Sequence, residues 1–318
     1  MECSNLSAPN EFILSGFPYP QGFKLPLLLF FSIMFALTLS GNSLIILMVI
    51  SDLQLHKPMY WFLCNLSILD MTLSAVVVPK IIAGFNVLGR VISFSGCVTQ
   101  VFFLNIVGYA ECFLFTVMAY DRFLAICKPL HYGNIMGWKL CLIFSLATII
   151  GGCLHATFQT SLTFHLSNGE NNHIDYVFFD VPPVLKLACS DTHFKELIII
   201  IEMGFITMTC FLLILTSYVY IFTTILKISS SEGWHKALST CSAHLTVVCL
   251  FILPVFYHYL RPVSQESMDS VLSMFYTTIT PLLNPLIYTL RNKEIKTALL
   301  KLWGLKTFHF SSKELIPL

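Results

Sequence analysis

The sequence predicts an all-α membrane protein: a seven-transmembrane helix bundle with a short amphipathic helix after the seventh span. Two observations carry that prediction. Of 318 residues, 56% are hydrophobic and only 11% charged, whereas soluble domains carry about 25% charged residues. Seven apolar runs, 25–50, 58–80, 98–121, 140–162, 197–226, 237–260 and 270–290, punctuate the chain, and each reaches the ~20 residues needed to cross a hydrocarbon core. The chain thus divides into an N-terminal segment (1–24), a membrane bundle (25–290) and a tail (291–318).

Seven crossings place the two termini on opposite faces. Sorted by that topology, twelve lysines and arginines share the face of Arg122 and six occupy the other. The positive-inside rule therefore puts Arg122 in the cytoplasm and residue 1 outside. The net charge of +1 implies no polyanionic partner, and nothing reads as a nucleic-acid surface. The partner that the composition demands is a lipid membrane. Residues 1–21 lack the charged start and apolar core of a signal peptide, so the first span has to serve as the signal. Most of the 11 cysteines lie in apolar runs, where a reduced, buried thiol is the default.

Taken in order, residues 1–23 are polar, and Asn5-Leu6-Ser7 is an N-glycosylation sequon that faces the right compartment. Asn42 interrupts the first apolar run and needs a partner on another helix. Asp70 does the same in the second, where a carboxylate is a functional candidate by default. In the third, Leu104, Gly108, Glu111, Phe115, Met118 and Arg122 share one helical face. Glu111 stands about 16 Å above Arg122 at helical rise. Asp70 and Glu111 lie at comparable depth, so either one is protonated or a cation sits between them.

The segment from Ser161 to Lys195 is the longest between spans and holds Glu170, Asp175, Asp180 and Asp191; a loop of that length is expected to do something, here to lid a pocket. In the fifth span, Glu202 and Tyr218 fall on nearly opposite sides of an ideal helix, so a local bulge is needed for both to face inward. Pro254 in the sixth span and Pro285 in the seventh each remove a backbone hydrogen bond and kink the helix. Residues 293–305 alternate basic and apolar, as a helix lying on the inner membrane surface would. Cys241 and His244 could mimic half of a zinc site, but two ligands are not four. No nucleophile–base pair marks an enzyme, and the paired inverted repeats of a transporter are missing.

Four motifs sit in register over nearly the whole chain: Pro58-Met59-Tyr60, Met118-Ala119-Tyr120-Asp121-Arg122 with Lys128-Pro129-Leu130-His131-Tyr132, Lys236-Ala237-Leu238-Ser239-Thr240-Cys241-Ser242, and Pro281-Leu282-Leu283-Asn284-Pro285-Leu286-Ile287-Tyr288. In these the chain resembles an olfactory receptor, a rhodopsin-like (class A) G-protein-coupled receptor. The resemblance implies a small-molecule odorant as ligand and a heterotrimeric G protein on the cytoplasmic face. A receptor of the same superfamily for a non-odorant ligand is the alternative.

It further implies a coupling switch of Asp121, Arg122, Tyr218, His244, Asn284, Pro285 and Tyr288. A polar core of Asn42, Asp70 and Glu111 is expected, with a sodium ion near the two carboxylates. A mostly apolar pocket would draw Leu104, Asn105, Gly108 and Tyr109 from the third span and Glu202 and Ile206 from the fifth. The sixth would add Val255, Phe256 and Tyr259, and the seventh Met274 and Thr277. Family members bridge the cysteine at Cys97 to one in the outer loop. That position is Phe179 here, a second loop cysteine is replaced by His165, and Cys189 remains. Cys97 is left to pair with Cys189, to pair with Cys3, or to stay free. The family's Phe-Tyr-Gly in the sixth span reads Phe251-Ile252-Leu253 here.

Overall fold

A computed structural model of the chain describes residues 10–16, 20–165, 172–174, 176–185, 187, 193–227, 231–260 and 273–302. Six long helices, Lys24–Ser51, Pro58–Ala83, Phe94–Cys127, Trp138–Phe164, His193–Ile225 and Ser231–Leu260, form the first six spans. The seventh covers residues 273–291, with Phe275–Ile279 wound as a π-helix ahead of Thr280–Arg291. The helix Lys293–Leu302 follows it. On the first span Leu29, Ile33 and Leu37 recur at helical spacing and are exposed; they form its lipid face, while Asn42, Ile45 and Met48 turn inward.

Several helix ends lie beyond the apolar runs, because polar residues continue a helix wherever its backbone bonds are met. The third span starts at Phe94, where the Ser93 hydroxyl accepts the Gly96 N–H at 3.2 Å as an N-cap. It runs to Cys127, stopped by Lys128-Pro129, since a residue before proline avoids the helical region. Arg122 therefore sits inside the helix and not at its end.

At Pro285 and near Pro79 a donor from a neighbouring helix meets a backbone carbonyl. Pro285 has no N–H to give the carbonyl of Pro281, four residues back. Asn42 supplies it: its Nδ2 donates to Pro281 O and to Thr38 O, both at 3.0 Å. Pro79 lies inside the second span. Beside it, Gln100 Nε2 of the third span donates to Val76 O at 2.8 Å. The third and fourth spans pack tightly at Gly152, where a β-carbon would come within 2.7 Å of Ile106 O; only glycine lets the two backbones approach there.

Outside the membrane the chain is not purely helical. Strands β1 (Glu11–Leu14), β2 (Val91–Ser93) and β3 (His173–Ile174) form a sheet in the order β2-β1-β3. β1 runs antiparallel to β2 and parallel to β3. The N-terminal segment, expected to be merely polar, thus enters the fold: Phe12 and Leu14 alternate inward and are fully buried. The sequon at Asn5 lies outside the described residues, as do Cys3 and Cys189.

Candidate functional site

Three polar tiers stack down the bundle. In the outer half a cavity encloses about 560 Å³ of atom-free space, counting its open mouth. Leu104, Asn105, Gly108, Tyr109 and Val255 line it as the sequence led one to expect. Leu73, Cys112, Phe251 and Tyr276 complete the wall with Met203, Thr207 and Asp180. Met203 and Thr207 each follow by one residue the expected Glu202 and Ile206. The fifth span is therefore rotated by about 100° from the assumed phase, one residue's turn. Its apolar residues surround it too evenly to set the phase from sequence.

Asp180 gave only a weak sequence signal, as one of four loop acids. It is fully buried, its Oδ1 accepting the Val181 N–H at 2.8 Å and its Oδ2 the Tyr276 hydroxyl at 3.2 Å. The remaining expected residues lie off the lining. Phe256 packs edge-on against Phe211, with centroids 5.8 Å apart. Ile206 packs half-buried against the core. Met274 is buried, and Thr277 is buried with its hydroxyl donating to Ser273 O at 2.7 Å. The Tyr259 side chain lies outside the described residues.

Glu202 turns toward the fourth span and not into the cavity. Its Oε1 lies 2.5 Å from His155 Nδ1, and its Oε2 accepts from Gln159 Nε2 at 3.5 Å and Tyr109 Oη at 3.4 Å. The fifth span is one continuous α-helix from His193 to Ile225, without the bulge that would be needed for both Glu202 and Tyr218 to face inward. Glu202 faces the fourth span and Tyr218 the sixth, so two neighbours on different sides satisfy both without one.

The middle tier holds Asp70, Glu111 and Asn284, all buried. Asn284 Nδ2 donates to Asp70 Oδ1 at 2.9 Å and Oδ2 at 3.0 Å, and Glu111 lies within electrostatic range of Asp70. Glu111 Oε1, Asn284 Oδ1 and Ser74 Oγ are buried with no hydrogen-bond partner among the described residues. Buried oxygens without donors are the type of ligand that a hard cation takes. Ser74, four residues from Asp70 on the same face, escaped the sequence reading.

The cytoplasmic tier gathers around Arg122. The guanidinium is buried, and its Nε and Nη1 have no hydrogen-bond partner among the described residues. Asp121 is held instead by Tyr132, whose hydroxyl donates to Oδ1 at 2.8 Å. Burial first, and then the Asp121 carboxylate, push the Tyr132 phenol well above its ordinary pKa, so it stays a donor. Tyr218 and His244 share a 2.8 Å bond between Oη and Nδ1 with their rings stacked. Tyr218, His244, Tyr288, Tyr60 and Cys241 all lie within electrostatic range of Arg122. The expected switch residues are thus brought together, with Asn284 and Pro285 one tier up and Tyr60, Tyr132 and Cys241 as additions.

The sixth and seventh spans meet at this face, where Ser239 Oγ donates to Arg291 O at 3.0 Å. The helix after the seventh span docks on the turn between the first two. Tyr60 Oη donates to Glu294 Oε2 at 2.9 Å, Lys57 Nζ to the same oxygen at 2.6 Å, and Lys301 Nζ to Asp52 Oδ2 at 3.0 Å.

Cys97 is a free, fully buried thiol. The expected partner Cys189 lies outside the described residues, and among those described Cys97 has no disulfide. Phe179, at the sequence position where the family carries its bridging cysteine, is fully buried.

Comparison with known proteins agrees with this architecture. A family profile described as olfactory receptor matches residues 31–306. Human Olfactory receptor 10G6 is 52% identical over 306 residues, 96% of this chain and 92% of that protein. Human Olfactory receptor 10G7 is 48% identical over 300 residues, 94% of this chain and 96% of that one. Mouse Olfactory receptor 10D1B is 46% identical over 295 residues, 93% and 95% of the respective chains. Family-wide identity and the seven-helix bundle lead to one conclusion: this chain belongs to the olfactory receptor family and is a multi-pass membrane protein.

Proposed function

We propose that this odorant receptor binds small, mostly apolar ligands in the cavity between Leu104, Tyr109, Met203 and Val255, and that a heterotrimeric G protein engages the face around Arg122. The observation that carries this reading is the cavity itself. It is largely apolar with a few placed polar groups, and it shares one uninterrupted helix with Arg122, which lies about 20 Å below Tyr109 at helical rise. The N-terminus faces outside and the C-terminus the cytoplasm, supported by the excess of basic residues on the Arg122 face.

Activation is a two-state equilibrium that the ligand biases by its different affinities for the two states. The kinks at Pro254 and Pro285 let the sixth and seventh spans move as bodies. Outward motion of the sixth parts Ser239 from Arg291 and His244 from the Arg122 neighbourhood, and exposes the guanidinium. Asp70, Glu111, Asn284 and Ser74 would hold sodium, which supplies a positive charge between the two buried carboxylates.

The test is a panel of small alcohols, aldehydes, amines and hydrocarbons on cells carrying a cyclic-AMP reporter, with a Gly108→Phe variant. A β-carbon at Gly108 meets nothing within 4 Å, so a larger side chain projects into open cavity. Active ligands should lose their effect on that variant at equal surface expression. Unchanged responses would place the ligand elsewhere.

A further inference from the structure

We infer that strand β1 holds the outer loop over the cavity in place of a covalent bridge, and that Phe12 is a positioning residue for the cavity wall. The inference rests on the reading of that cavity as the ligand site. Among the described residues no disulfide ties the loop to the third span, where Cys97 is a free thiol. Backbone bonds run instead from the N-terminal segment to the loop, beside the pairing of β1 with β3. Ile13 N donates to Asn172 O at 2.8 Å, Ser15 N to Ile174 O at 2.9 Å and Gly16 N to Tyr176 O at 3.2 Å. On its other edge β1 pairs with β2, and Phe94 N at the start of the third span donates to Asn10 O at 2.9 Å. The strand is thus sandwiched between the loop and the top of the helix that carries Cys97.

Side chains continue the tie inward. The Phe12 ring is fully buried, 6.3 Å from the Phe179 ring and 6.0 Å from that of Phe94. Phe179 is followed directly by Asp180, whose carboxylate lines the cavity and takes the Tyr276 hydroxyl at 3.2 Å. A shift of the Phe179 ring therefore moves a polar group of the ligand site. Lys80 marks where a covalent tie could stand: its Nζ lies 5.9 Å from the Phe179 ring centroid and within electrostatic range of Cys97. Phe179 and Cys97 share that neighbour. An apolar wedge and a short sheet do here what a disulfide would do, and neither responds to reductant.

The test compares wild type, Phe12→Ala and Phe12→Ala/Phe179→Cys in surface-matched cells, with and without dithiothreitol. Loss of the wedge should raise the half-maximal ligand concentration on the order of tenfold, about 1.4 kcal/mol, with the maximal response kept. The double variant can oxidise its new thiol with that of Cys97, molecular oxygen taking up the two electrons and two protons. It should recover the wild-type concentration dependence and lose it again in dithiothreitol, to which wild type is indifferent. A curve unmoved by Phe12→Ala, or a wild type that itself fails under reductant, overturns the inference.

Should Phe12→Ala not reach the surface, Ile13→Pro removes one strand-to-loop bond and leaves the ring in place; it should shift the curve the same way. Hydrogen exchange over residues 173–185 of the purified receptor needs no ligand. Faster exchange in either variant supports the tether and equal exchange overturns it, even if wild type proves silent to every ligand, which would count against the ligand-site reading alone.

Discussion

Glu111→Gln gives the sharpest test of the core. Asn284 Nδ2 donates to both carboxylate oxygens of Asp70, and Glu111 Oε1 and Asn284 Oδ1 have no donor among the described residues. Two carboxylates in one low-dielectric site cannot both ionise unless a cation joins them. If sodium does so, it stabilises the receptor by linkage: about 1.4 kcal/mol at ten times its dissociation constant and about 2.7 kcal/mol at a hundred times. At roughly 2 °C per kcal/mol for a chain of this size, wild type should melt about 3–5 °C higher in sodium than in choline at equal ionic strength. Thermal melting of the detergent-solubilised receptor measures this without any ligand or G protein. Glu111→Gln should erase the sodium increment, and in choline it should melt no lower than wild type, because one of two repelling carboxylates is gone. A variant that keeps the full increment would falsify the sodium role of Glu111. A wild type with no increment would mean that the pair is held protonated and hydrogen-bonded.

Three further outcomes follow from the contacts. Arg122→Ala should reach the surface, melt no lower than wild type and give no cyclic-AMP response, since it removes a buried cation that lacks partners at two of its nitrogens; normal signalling at equal expression would refute its coupling role. Glu202 reaches the cavity only through Tyr109, so Glu202→Gln should weaken amines, alcohols and hydrocarbons alike, and with His155→Ala show a coupling of about 1–3 kcal/mol in a double-mutant cycle; selective loss of amines would put the carboxylate at the ligand. The Gln54 backbone N–H first, and then Lys301, hold the Asp52 carboxyl below its ordinary value. The stabilisation from Asp52 is therefore full above that ordinary pKa and fades as pH falls through the lower folded one. Melting of wild type minus Asp52→Asn should converge in that acid window, and a difference independent of pH would refute it.

The spans, their order and their topology were legible because the bilayer imposes a length and a composition on every crossing, and these are local properties of the chain. Residues whose role is set by a backbone rule were legible too. Pro285 frees a carbonyl, and an amide in the first span, Asn42, was expected to find a partner across helices. The third span's inward face could be phased because Glu111 and Arg122 cannot face lipid cheaply, and that phase carried Leu104, Asn105, Gly108 and Tyr109 onto the cavity wall.

The fifth span shows where this stops. Its residues are apolar on nearly every side, so sequence offers Glu202 as an inward mark, whereas in the structure Glu202 pairs with His155 on the fourth span. A polar residue inside a membrane reports that a partner exists, not which helix supplies it. Asp180 and Phe12 were beyond reach for a related reason: each acts through neighbours more than seventy residues away in sequence, Tyr276 for one and Phe179 for the other. What the sequence by itself determined is the set of elements and the residues that cannot be left bare in lipid, because desolvation of a peptide group or a charge is costly wherever it occurs. Only the tertiary structure decided which partner meets each of them, and that an apolar wedge stands beside a free Cys97, because pairing between helices and loops depends on rotations and distances that no local pattern encodes.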